Sequence, residues 1–151
     1  MKSVARTYGL TVNRKVDERK DFEKSAEAAS KLLRISCIPN AKRILNRNNI
    51  SYNENDLWFK LFVLHIYHAG AGNVGGLIDN MKPDTGGMWL ITEMWQNEHG
   101  GFKNASQNYS QVALASNLIL EELMYSNCES IYECNQEITQ TQDSTDVQNR
   151  Q

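Results

Sequence analysis

The apolar positions along this chain recur at helical intervals. From Asp21, whose carboxylate can cap a helix, DFEKSAEAASKLLRI sets Ala26, Ala29, Leu32 and Leu33 on one face, leaving Glu23, Lys24, Glu27 and Lys31 for the wet side. Pro39 is expected to stop this helix, and AKRILNRNNISYNEND then reads as a short helix followed by an Asn-rich loop. Asn55 or Asp56 can cap the next segment, LWFKLFVLHIYHAG, whose large apolar side chains are nearly continuous. Apolar on every side, it is predicted as the central helix; a strand is the rival for so short a run, but the length and the glycine stop favour helix.

Smaller elements complete the pattern. Residues 1–6 form a short helical piece closed by Tyr8 and Gly9, and 16–19, VDER, make a polar connector. NVGGLIDNM and GMWLITEMW are predicted as two short helices separated by the turn-rich stretch 82–86. Residues 96–108 read as a polar loop, and 109–125 as a last helix with Val112, Leu114, Ala115, Leu118, Ile119 and Met124 as its apolar face. Trp89 and Trp95 could stack on sugars, but their helical spacing assigns them to the core. The whole predicts an all-α domain over 1–125 and a disordered polar tail over 126–151, rich in Gln, Thr, Asn and Asp.

Composition narrows the chemistry. A chain of 151 residues is one domain by size, and a net charge of -2 argues against nucleic acid, whose phosphates call for a basic surface. No apolar stretch approaches the roughly 20 residues of a transmembrane segment. The N-terminal MKSVARTYGL lacks the apolar run of a signal peptide. Cys37, Cys128 and Cys134 make no C-x-x-C pair, so no zinc site is expected; Cys128 and Cys134 either bridge in an oxidising compartment or remain two thiols. No cofactor is implied.

The stretch HIYHAGAGNV is where apolar bulk gives way to alanine and glycine. Such residues make a tight corner between helices, or let a ligand approach the backbone. The segment Y-H-A-G-A-G-N-V resembles the A-Y-N-A-G-x-G-x-V signature of lytic murein transglycosylases of the SLT, goose-lysozyme-like group. Upstream, MKSVARTYGLTVNRKVDERKDFEKSAEAASKLL is similar to the D-type members, which run M-P-x-T-x-x-x-Y-G-L, V-D-E-R-x-D and S-x-x-A-A-x-Y-L. Downstream, NYSQV falls where the family carries a Tyr-Val-Pro segment opening its final helix. The resemblance covers residues 1 to about 123.

It implies a lysozyme-like helical domain that cleaves the β-1,4 bond between N-acetylmuramic acid and N-acetylglucosamine in peptidoglycan. The product is a 1,6-anhydromuramyl end, so the reaction is a lyase reaction. One glutamate acts as acid and then base, with the substrate's acetamido group in place of a second carboxylate. Tyr67, His68, Ala69, Gly70 and Tyr109 become the candidate substrate-binding residues, with Ala69 and Gly70 keeping the groove floor low. The partner would be a peptidoglycan glycan strand, in the periplasm or cell envelope.

Two departures accompany the resemblance. The family's catalytic glutamate, in a Glu-Ser pair, lies upstream of the segment where this chain begins, so no catalytic residue is assigned and Met1 is expected to be an internal methionine of a longer, N-terminally truncated protein. The apolar face exposed by that loss would favour self-association. His68 stands where the family has asparagine, and Tyr109 where its tyrosine bonds the catalytic acid. Asp17 and Glu18 read as loop-fixing partners of Arg19, and Glu93 and Glu98 as solvated surface groups. His65 and His68 lie at i, i+3, but without a third ligand at fixed spacing no metal site is assigned.

Overall fold

The computed structural model describes residues 2–125. Among these residues there are seven α-helices and no strand: α1 (Lys2–Thr7), α2 (Phe22–Leu32), α3 (Ile38–Arg47), α4 (Leu57–Ala69), α5 (Ala71–Met81), α6 (Met88–Gln96) and α7 (Ala105–Tyr125). The described part is all-α. The chain divides into two compact units, Met1–Ser110 and Gln111–Gln151. The tail expected over 126–151, with Cys128 and Cys134, lies outside the described residues.

The first unit is built around α4. Its side chains Trp58, Phe59, Leu61, Phe62, Val63 and Ile66 are buried, and α3, α5 and α6 all pack against it. Burying side chains of this size is worth about 1.5–3 kcal/mol each, so this helix is the main source of stability. Asp56 caps it by position, but its carboxylate goes to the Trp58 indole, which donates to Oδ2 at 3.1 Å.

Pro39 does not stop the preceding helix. Proline has no N–H to give to a carbonyl four residues back, and the chain absorbs that loss one step earlier. Leu33–Cys37 widens into a π-turn, with the Ile38 N–H reaching Leu33 O, and α3 continues with Pro39 in its first turn. The helical path therefore runs unbroken from Phe22 to Arg47. Asp21 caps it as expected, accepting from the Lys24 N–H at 3.0 Å.

The face of α2 is less covered than its pattern implies. Ala28 is buried and Ala29, Leu32 and Leu33 are half-buried, whereas Ala26 is exposed, as are Phe22 at 85% and Ile35 at 68%. Trp89, assigned to the core by its spacing, is 70% exposed. Trp95 is half-buried and donates to Ser110 Oγ at 2.9 Å. No helix of the described residues is long and apolar enough to cross a membrane.

The polar segment 96–108 is a correction of another kind. It closes a tight turn in which His99 and Phe102 exchange backbone hydrogen bonds, with Gly100 at φ 54°. The turn drives Phe102 fully into the core, and α7 starts at Ala105, four residues before the expected Tyr109. Of the apolar face expected on α7, Val112, Leu118, Ile119 and Met124 are exposed.

Candidate functional site

The small-residue run between α4 and α5 is first of all a corner. Gly70 ends α4 and begins α5 at φ 85°, a left-handed conformation that suits glycine. On α5, Gly76 lies under the His99 ring, and a Cβ there would come within 2.2 Å of Nε2. Asn80 Nδ2 donates to His99 Nδ1 at 2.8 Å, and Asn73 takes the Gly101 N–H on Oδ1 while giving Nδ2 to Ala69 O. These bonds fasten the 99–102 turn to α5 and so fix where α7 begins.

Ser106, on the first turn of α7, holds both histidines of α4. Its carbonyl takes His65 Nδ1 at 3.0 Å and its hydroxyl meets His68 Nδ1 at 3.1 Å. A carbonyl can only accept, so His65 carries its proton on Nδ1, and Nε2 is left buried without a partner. Burial pushes the His65 pKa down to about 4, so the ring is neutral at physiological pH. Ser106 Oγ also lies 3.4 Å from Gly101 O, so the hydroxyl sits between the His68 ring and the 99–102 turn.

One turn further along α7, Tyr109 stacks on His68 with ring centroids 4.4 Å apart and planes at 22°, and it lies 6.4 Å from the Tyr67 ring. Burial, and then the neighbouring Tyr67, raise the Tyr109 phenol above its ordinary pKa, so its hydroxyl keeps its proton.

Tyr67 and His68 open onto a cavity of about 320 Å³. Val4, Ala5, Tyr8 and Leu10 line it from the N-terminal segment, Arg19 from the VDER turn, and Ser25, Ala28, Ala29 and Leu32 from α2. Ala69 and Gly70 are not among its lining residues; they stay at the corner, where a Cβ on Gly70 would meet nothing within 4 Å.

The VDER carboxylates are structural. Asp17 receives Arg19 Nε at 2.7 Å and Nη2 at 2.5 Å, and this guanidinium lowers its pKa to about 2. Glu18 serves Lys24 and the Thr11 N–H, both at 2.6 Å, rather than Arg19, and Lys24 holds it below the ordinary carboxylate range. Both are ionised at neutral pH and neither lines the cavity. Among the described residues, His, Cys, Asp and Glu form no cluster of three that could hold a metal.

Sequence reasoning missed Ser106 and Phe102. Neither has a periodic neighbour that would mark it, and both depend on the turn that closes between His99 and Phe102. Against known proteins, the chain matches no family model, no curated protein and no solved structure.

Proposed function

We propose that this is a lysozyme-like domain of the lytic transglycosylase type, acting in the periplasm or cell envelope, whose cavity holds a sugar of a peptidoglycan glycan strand. The observation that carries the reading is convergence. Tyr8, Arg19, the Ser25, Ala28 and Ala29 group, and Tyr67 with His68 belong to separate stretches that each resemble the family, and they line one cavity, with Tyr109 stacked behind His68. Its mixed lining suits a sugar: methyl and methylene groups for apolar ring faces and an acetamido methyl, hydroxyls and an imidazole for the hydroxyls.

The chain's own residues would supply binding and orientation. Tyr67 and His68 form one wall, and Ser106 fixes the His68 ring, whose imidazole would hydrogen-bond a sugar hydroxyl. Cleavage to a 1,6-anhydromuramyl end calls for a protonated carboxyl beside the glycosidic oxygen. No carboxylate lines the cavity among the described residues, an observation that favours a second reading, glycan binding without cleavage. Mass spectrometry of sacculi digested with the 151-residue chain separates them. Anhydromuropeptides support cleavage; retention on sacculi without them supports binding alone.

A further inference from the structure

From Ala115 to Tyr125 every residue of α7 is exposed. Val112, Leu118, Ile119, Leu120, Met124 and Tyr125 stand in this stretch or just before it, each between 43% and 61% exposed. Successive residues of a helix are about 100° apart, which sets Val112 and Ile119 on one side, Leu118 and Tyr125 on a second, and Leu120 and Met124 on a third. A helix that is apolar on all sides is one that other elements bury. Nor is the stretch self-supporting: isolated helices shorter than about 12–15 residues are marginal in water, and Glu121 and Glu122 near its C-terminal end oppose the helix dipole.

We propose that α7 is a self-association surface, on which two copies of this chain pair antiparallel through Val112, Leu118, Ile119 and Leu120. The inference is independent of the glycan reading. The rest of the chain is a poor cover by composition: residues 126–151 hold Ile131, Tyr132, Ile138 and Val147 as their large apolar side chains, and their acidic groups, Glu129, Glu133, Glu137, Asp143 and Asp146, outweigh Arg150 and would crowd Glu121 and Glu122. A second copy brings no such conflict. Residues 105–120 carry no charged side chain, so an antiparallel pair lays Glu121 and Glu122 of each copy against the uncharged half of the other, whereas a parallel pair would set these glutamates against their own counterparts. The six side chains expose roughly 100 Å² each, on the order of 600 Å² per copy. A two-fold pairing buries the same patch twice, and covering most of it gives about 1,000 Å², the threshold of a specific interface.

Sedimentation equilibrium of the full chain tests this. At about 20 μM the chain has the mass of two copies, and Leu118→Ala with Ile119→Ala weakens the pairing tenfold or more. Alanine is the best helix former, so the loss reports the removed contact and not an unravelled α7. Phe22 and Ile35 lie outside this surface, and their replacement by serine leaves the pair in place at that concentration. A monomeric chain overturns the proposal and assigns the cover of α7 to residues 126–151 or to another protein. A dimer that the two alanines leave intact, or that dissociates when Phe22 and Ile35 are replaced, overturns it as well. The mass of the unmodified chain needs no variant, so a variant that fails to fold does not rescue the proposal.

Discussion

His68 and Tyr109 lie ring on ring, with centroids 4.4 Å apart and planes only 22° from parallel. The pair joins the end of α4 to the start of α7, and Ser106 on the same helix turn ties down the edge of the imidazole. The wall of the cavity is therefore set by a helix that contributes no lining residue itself.

That relationship makes Tyr109 a positioning residue. Tyr109→Ala removes the stacked ring and lets His68 turn, and retention on peptidoglycan falls severalfold, in line with the ~1 kcal/mol typical of an aromatic pair. Tyr109→Phe keeps the ring and retains binding close to that of the unmodified chain. A pull-down on purified sacculi with both variants checks this; equal losses in the two would mean that the hydroxyl, not the stack, matters.

His65 sets a pH limit on stability. Its pKa falls from 6.5 to about 4 on folding, so the unfolded chain takes up a proton that the folded chain refuses. Stability is full above pH 6.5, declines as the pH drops toward 4, and has lost about 3 kcal/mol below that. His65→Asn keeps a donor for Ser106 O and flattens this dependence. Denaturant melts at pH 7, 5.5 and 4.5 measure it. Asp17 acts in a lower window: its pKa falls from 3.8 to about 2, so its contribution is present above 3.8 and lost as the pH drops toward 2.

Phe102 and Trp89 exchange the roles that their surroundings in the sequence suggest. Phe102 has no exposed surface and Trp89 is 70% exposed. Phe102→Ala costs about 3–5 kcal/mol, while Trp89→Ala stays within about 0.5 kcal/mol. Thermal unfolding of the two variants side by side decides it; a Trp89→Ala loss as large as that of Phe102→Ala would place the tryptophan in contact with the core.

Phe22 and Ile35 leave two large apolar side chains in water on the α2 side of the first unit. Such surface favours association at high protein concentration. Gel filtration of Phe22→Ser with Ile35→Ser should give a smaller apparent mass than the unmodified chain at about 100 μM. Identical elution of both as monomers would mean that this surface has no partner in another copy.

The sequence made α2 legible because its apolar positions keep a helical period from the Asp21 cap, and α4 because its nearly continuous apolar run is long and ends at Gly70. It misplaced the junction at Pro39, since a proline signals a missing donor but not whether a π-turn will accommodate it. Tyr67 and His68 could be read as site residues from their local motif, and the structure brings them together with Tyr8 and Arg19. Ser106 could not be read, because its place depends on a turn seated over Gly76 and held by Asn73 and Asn80, contacts between segments that carry no shared pattern.

If the cavity beside Tyr67 and His68 holds a peptidoglycan sugar, the 151-residue chain is retained on purified sacculi. That retention saturates, is competed away by soluble glycan fragments and weakens by about tenfold or less in Tyr67→Ala, the range of one sugar-facing aromatic. Retention that no glycan fragment competes for, or that Tyr67→Ala leaves unchanged, would contradict it.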